Sequence, residues 1–163
     1  MKMGKPILDT NQIPTTIDTK QNNLLFYNFQ EPNFEQQGYA VGMGNPHLIF
    51  FVEDINKVPL SLLGPTFENN VLFPEKTNVH FSQIINRENI QVRVWERGAG
   101  PTLACGTGAC AVHVAAYILG LCSSETIINL PGGNLKINWS RLEDEILMTG
   151  HAKKVFSGTY SLK

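Results

Sequence analysis

The 163-residue sequence has no excess of either charge: 13 Lys and Arg stand against 14 Asp and Glu, for a net charge of −1. With no basic block in it, the chain has nothing to attract a nucleic-acid backbone or an anionic membrane surface, so neither is expected as a partner. Long apolar runs are also missing. The longest, residues 109–121, is interrupted by His113 and falls short of the ~20 residues that cross a bilayer. The first residues, Met1-Lys2-Met3-Gly4-Lys5-Pro6, put no apolar stretch behind their lysines, so no signal peptide is expected. Cysteine is scarce: Cys105, Cys110 and Cys122 are an odd set with no secretion signal, which fits reduced thiols in a cytoplasmic protein rather than a disulfide framework. There is no C-x-x-C, and His47, His80, His113 and His151 are scattered, so no zinc site and no metal is expected. Internal repeats and low-complexity tracts are absent as well.

What is present is an ordinary globular composition, 42% hydrophobic, at a length that suits one domain with its own core. Residues 1–37 are polar and rich in Asn, Gln and Pro, and they read as chain entering a domain, with a short strand or turn over 5–13 and a possible strand over 24–29. Residues 38–43 form a short candidate strand. Gly44-Asn45-Pro46-His47 then carries turn chemistry ahead of a continuous apolar β run over 48–52. A helix is expected over 61–70, with Pro65 near its first turn. Strands are expected over 78–86 and 90–95, joined by a hairpin turn at 86–89, and over 126–130 and 135–139, joined by Pro131-Gly132-Gly133-Asn134. Two more are expected over 145–149 and 154–162. Residues 108–119, closed by Gly120, read as a helix that is small or apolar on nearly every face. Such a helix is buried. The expected fold class is therefore α+β, a curved and mostly antiparallel sheet wrapped around a central apolar helix.

The chemistry gathers in one stretch, Glu96-Arg97-Gly98-Ala99-Gly100-Pro101-Thr102-Leu103-Ala104-Cys105-Gly106-Thr107-Gly108-Ala109-Cys110. Small residues ahead of a helix let backbone N–H groups approach an anion. A cysteine at that helix end feels the positive end of the dipole, which favours the thiolate. Cys105 is thus read as a reactive thiol, with a carboxylate held by the N–H groups that follow it. Cys110, turned away in the helix, and Cys122 read as packing residues. Neighbours on a strand point to opposite faces, so Glu96 and Arg97 serve one site only if the strand bends, and Gly98 permits that bend. Arg97 is then free to fork onto a carboxylate and Glu96 to accept from an ammonium. From the residues alone, Asn45, His47 and Asn78 are equally turn, surface or cap residues. His80, His113 and His151 have no distinguishing company. A Cys–His hydrolase built on Cys105 and His47 is an open reading at this point.

Gly42-Met43-Gly44-Asn45-Pro46-His47, then Asn78, then the long stretch through Cys110 together resemble diaminopimelate epimerase in order and spacing. Met3-Gly4-Lys5-Pro6 is similar to the segment where that family enters its C-terminal half, and Met148-Thr149-Gly150 and Val155-Phe156-Ser157-Gly158 are similar to its terminal strands. The resemblance implies an isomerase that interconverts LL- and meso-diaminopimelate for lysine and peptidoglycan synthesis, with no cofactor: neither pyridoxal phosphate nor metal. Two cysteines on opposite faces of the α-carbon exchange its proton. By matching positions it implies Cys105, His47 and Glu96 as catalytic and Asn45, Asn78, Glu96, Arg97, Gly106 and Thr107 as substrate-binding. It also implies a single domain over 1–163 corresponding to the family's C-terminal half, whose last strand, 155–163, returns to the N-terminal half. That other half carries a C-G-N-G cysteine, and this sequence contains no C-G-N-G and no second C-G-x-G. The expectation is a portion with little activity alone, completed by the missing half or a second copy. A non-catalytic carboxylate-binding remnant and a related amino-acid racemase stand as alternatives.

Overall fold

A computed structural model describes residues 1–139 and 145–161. Among them ten strands form one open sheet and two α-helices pack against it, one on each face. The strands are β1 (Lys20–Gln21), β2 (Leu24–Glu31), β3 (Phe34–Gly42), β4 (Pro46–Phe51), β5 (Asn78–Asn86), β6 (Asn89–Glu96), β7 (Gly100–Thr102), β8 (Glu125–Leu130), β9 (Gly133–Asn138) and β10 (Leu147–Thr149). The helices are α1 (Leu60–Glu68), between β4 and β5, and α2 (Gly106–Ile118), between β7 and β8. The order across the sheet is β1-β2-β3-β4-β5-β6-β8-β9-β10, with β7 folded back on β6. Only β4·β5 and β6·β8 run parallel, and each of those pairs is bridged by a helical crossover. The α+β expectation holds. Helix α2 touches β3, β4, β5, β8 and β9, and its residues from Gly108 to Ala116 are all buried.

Alternation along the strands separates two cores. Ile49, Val92 and Val94 pack with α2, whereas Leu48, Phe50, Val79 and Phe81 pack with α1. The α1 face is an aromatic cluster in which Phe50 lies 4.6 Å from Phe67 and 5.4 Å from both Phe29 and Phe81, centroid to centroid. Leu60, Leu63 and Phe67 give α1 its buried stripe. Gly64 lets the Trp95 ring lie on the helix, since a β-carbon there would stand 2.4 Å from Trp95 Cδ2. Pro65 falls in the second turn rather than near the first, so it cannot supply an N–H bond to the Ser61 carbonyl.

Several local expectations change. Residues 1–37 are not loose entry chain. Met3 N–H donates to the Ile146 carbonyl at 2.9 Å, Ile7 and Gly42 exchange bonds of 2.8 and 2.9 Å, and Ile13 and Ile17 are buried in the α1-side core. Strands β2 and β3 form a long hairpin turning at Pro32-Asn33, where Asn33 adopts φ 61°. The polar residues that disguised this hairpin occupy its exposed half. Strand β7 was hidden in the glycine-rich stretch. The strand expected over 154–162 does not form over 154–161, where every residue is exposed and pairs with no strand among the described residues; residue 162 lies outside the described residues, as does the end of the 155–163 segment. No helix among the described residues is long and apolar enough to cross a membrane.

Candidate active site

The starts of β4 and β5, the end of β6 and the N-terminus of α2 meet at one end of the sheet. On the α2 face, alternation lines up His47, Asn78, His80 and Glu96.

Cys105 is itself the N-cap of α2, so the helix begins two residues earlier than the composition suggests. Its backbone is extended (φ −140°, ψ 107°), and its sulfur accepts from the Gly108 N–H at 3.4 Å and lies 3.6 Å from Thr107 Oγ1. The N–H groups of Gly106 and Thr107 belong to the first turn, where a helix has no acceptors of its own. Met148 of β10 covers Gly106 at 3.3 Å from where a β-carbon would stand.

The expected preference for thiolate is reversed here. Burial pushes the Cys105 thiol above its ordinary range, and Glu96 pushes the same way through its charge and its acceptor oxygens; the Thr107 hydroxyl and Gly108 N–H pull down and lose. Cys105 therefore rests as a thiol with a carboxylate beside it. The Glu96 carboxylate is held by the Thr102 hydroxyl, which donates to it. Cys110 is a fully buried core residue whose thiol is pushed up to about 12 by burial and by Cys105. Cys122 is buried, too.

The bend after Glu96 is a hairpin. Gly98 (φ 77°) and Gly100 (φ 79°) turn the chain so that Glu96 pairs with Gly100, and the Ala99 N–H donates to the Glu96 carbonyl. Glu68 of α1, a buried carboxylate, accepts from the Gly98 N–H at 2.9 Å and from Trp95 Nε1 at 2.7 Å, which pins the turn from below. Asn78 braces it from the side. Its Oδ1 accepts from the Arg97 N–H at 3.0 Å while its Nδ2 donates to the Pro46 carbonyl at 3.0 Å. Arg97 donates one guanidinium N–H to the Glu75 carbonyl and, with Asn45, lines a small cavity closed by Ile7, Ile13 and Pro46.

His47 is fully buried. Its Nε2 lies 2.9 Å from Asn45 Oδ1 and its Nδ1 lies 2.9 Å from His80 Nε2. Both of its nitrogens are engaged, so no Cys105–His47 pair forms and the hydrolase reading loses its base. Burial, His80 and Arg97 hold His47 well below the usual histidine range, and burial holds His80 at about 3. Both rings are neutral near pH 7.

The structure thus brings Cys105, Glu96, Gly106 and Thr107 together around the helix end. It sets Asn45 and Arg97 on one cavity, with Asn78 as a brace between β4 and the Arg97 turn. Sequence reading passed over His80, Thr102 and Glu68. His80 was within reach, because it stands two residues after Asn78 on the same face of one strand.

A family model described as diaminopimelate epimerase matches residues 39–155. The diaminopimelate epimerases of Rippkaea orientalis and Moorella thermoacetica are 45% and 43% identical to this chain over 160 residues, 98% of this chain and 57% of each relative. Diaminopimelate epimerase 1 of Nostoc sp. is 45% identical over 156 residues, 96% of this chain and 56% of that protein. Among solved structures, the Bacillus anthracis phenazine biosynthesis protein of the PhzF family matches 77% of this chain and 38% of its own, at 20% identity and a TM-score of 0.48. The chain spans a little over half the length of the curated relatives it matches. On the family match and on these identities, it belongs to the diaminopimelate epimerase family.

Proposed function

We propose that this chain supplies one of the two thiols of a cofactor-independent, cytoplasmic diaminopimelate epimerase, with Cys105 as the acid–base group on one face of the substrate α-carbon. The observation that carries this reading is the buried Cys105 thiol at the N-cap of α2, with the Glu96 carboxylate beside it and the first-turn N–H groups of Gly106 and Thr107 ahead of it.

In one direction Glu96 takes the thiol proton, and the thiolate then removes the α-proton: the C–H bond breaks and an S–H bond forms. Negative charge that develops on the substrate carboxylate meets the Gly106 and Thr107 N–H groups, whose donors are already aimed. A second thiol delivers a proton to the opposite face, its S–H breaking as the new C–H forms. In the reverse direction Cys105 is the donor. Inversion needs an acid and a base on opposite faces. Cys105 serves one, and the sequence has no second C-G-x-G to serve the other. The second thiol therefore belongs to residues outside these 163, on the same polypeptide or on another. Asn45 and Arg97 are the proposed donors to the substrate's remaining polar groups, and the substrate is a small diamino diacid.

The test is to supply the C-G-N-G-bearing portion of a diaminopimelate epimerase to this chain and follow inversion of LL-diaminopimelate. Activity that appears on mixing and is abolished by Cys105→Ala supports the reading. Inversion that survives Cys105→Ala, or that the unmixed chain performs at the same rate, overturns it.

A further inference from the structure

Two buried histidines from adjacent parallel strands form a line that ends on the cavity-lining amide of Asn45. We propose that His80 is a positioning residue that fixes the proton of His47 on Nε2 and, through it, turns the Asn45 amide so that its NH2 group faces the cavity shared with Arg97. This deepens the reading above, since it says how the carboxylate-recognising amide is aimed.

The direction of the line follows from its members. Asn45 Oδ1 only accepts, so the contact at 2.9 Å needs a hydrogen on His47 Nε2. A neutral His47 protonated there has a bare lone pair at Nδ1. That lone pair lies 2.9 Å from His80 Nε2, which must then be the donor. A neutral His80 that donates from Nε2 keeps a lone pair at Nδ1, and Nδ1 of His80 is buried without a hydrogen-bond partner. The opposite direction would leave an N–H buried there instead. An orphaned donor is the rarer and costlier outcome.

His80 is itself locked in place. The first turn of α2 presses on its ring, and a β-carbon on Gly108 would stand 2.1 Å from His80 Cε1 and 2.9 Å from Nδ1. The same Gly108 gives its N–H to Cys105. His47 is thereby a fixed donor rather than a free base. With its oxygen tied to His47, Asn45 has only N–H donors to offer the cavity, next to the Arg97 guanidinium. Glu75 and Gln12 line the same cavity, so Asn45 and Arg97 form its donor side, the side that meets a carboxylate.

The experiment is long-range proton–nitrogen correlation on the full 163-residue chain with ¹⁵N-labelled histidine at pH 7. In the wild type, His47 and His80 should each show a protonated Nε2 and a bare Nδ1. His80→Gln keeps a donor for His47 Nδ1 and should preserve the His47 pattern. His80→Leu removes it and should give His47 a mixture of both tautomers. A wild-type His47 protonated on Nδ1, or a His47 pattern unchanged in His80→Leu, overturns the proposal. Should His80→Leu not fold, the wild-type pattern decides alone. Titration with meso-diaminopimelate, read on the Asn45 side-chain amide, separates the two readings. The expected tautomers with no amide shift would retain His80's positioning role and defeat the proposed substrate, whereas reversed tautomers defeat the positioning role whatever the ligand does.

Discussion

Gly108 lies flat against His80: a single β-carbon added at position 108 would stand 2.1 Å from the imidazole Cε1. Neither neighbour has room to yield, because the ring is fully buried and hydrogen-bonded to His47, and Gly108 lies in the first turn of α2. Gly108→Ala is expected to cost about 3 kcal/mol of stability, the upper end for overpacking a core. His80→Ala should relieve much of that, so the double variant should be more stable than the sum of the two single losses predicts. Urea denaturation of the four proteins checks this. Strict additivity would mean that the contact is not what limits position 108.

Cys105 and Glu96 make a prediction about reactivity. Because the Glu96 charge helps to hold the thiol protonated, Glu96→Gln should lower the Cys105 pKa and speed its alkylation at pH 8 several-fold. Iodoacetamide labelling, mapped by mass spectrometry, distinguishes Cys105 from the deeply buried Cys110. A slower rate in Glu96→Gln would show that the carboxylate activates the resting thiol instead.

His47, His80 and His113 are all buried and all held below the usual value of 6.5, His80 at about 3 and His113 at about 4, with burial the largest cause for each. Between pH 6.5 and those values the unfolded chain binds protons that the folded chain refuses. Stability is therefore full above pH 6.5 and falls as pH falls, by up to about 1.4 kcal/mol per pH unit for each histidine. Urea midpoints at pH 7.5, 6.0 and 5.0 should drop steadily, in a window above the range where carboxylates titrate. A flat profile between 7.5 and 5.0 would contradict the neutral histidine pair.

The tail gives a prediction of the opposite kind. Residues 151–161 are exposed throughout, and Val155, Phe156 and Tyr160 are each more than 80% exposed with no strand partner among the described residues. Limited trypsin treatment should cut after Lys153 and Lys154 first and leave a folded core with an unchanged melting temperature. A drop of several degrees on that cut would show that the segment packs on the sheet. Mixing with the C-G-N-G-bearing portion should slow the cut if the segment pairs with it.

Local patterns made much of this fold readable. The apolar helix ending at Gly120, the hairpin at Pro131-Gly132 and the buried run of β4 each carry their signal within a few residues. Strands over 24–29 and 38–43 are legible, but their extension into one hairpin through 30–37 is not, because the Gln, Asn and Glu residues there leave no apolar alternation to read. Pro65 is tolerated inside α1 because Leu60, Leu63 and Phe67 bury enough apolar surface to hold a helix around it. At the site, the stretch from Glu96 to Cys110 carries the signals for Cys105 at a helix end and for the bend after Glu96.

By itself the sequence determined the family, the position of the candidate thiol, and that these residues carry one C-G-x-G and not two. All of these are written in contiguous residues, where spacing alone fixes which groups meet. Tertiary structure decided what that thiol is at rest, because burial and Glu96 outweigh the helix end that the sequence displays. It also decided that His47 faces His80, across 33 residues and two strands that become neighbours only when α1 carries the chain back in parallel. Proton affinities and tautomers are set by every group and every water excluded around a site, and that sum exists only once the whole chain has closed over it.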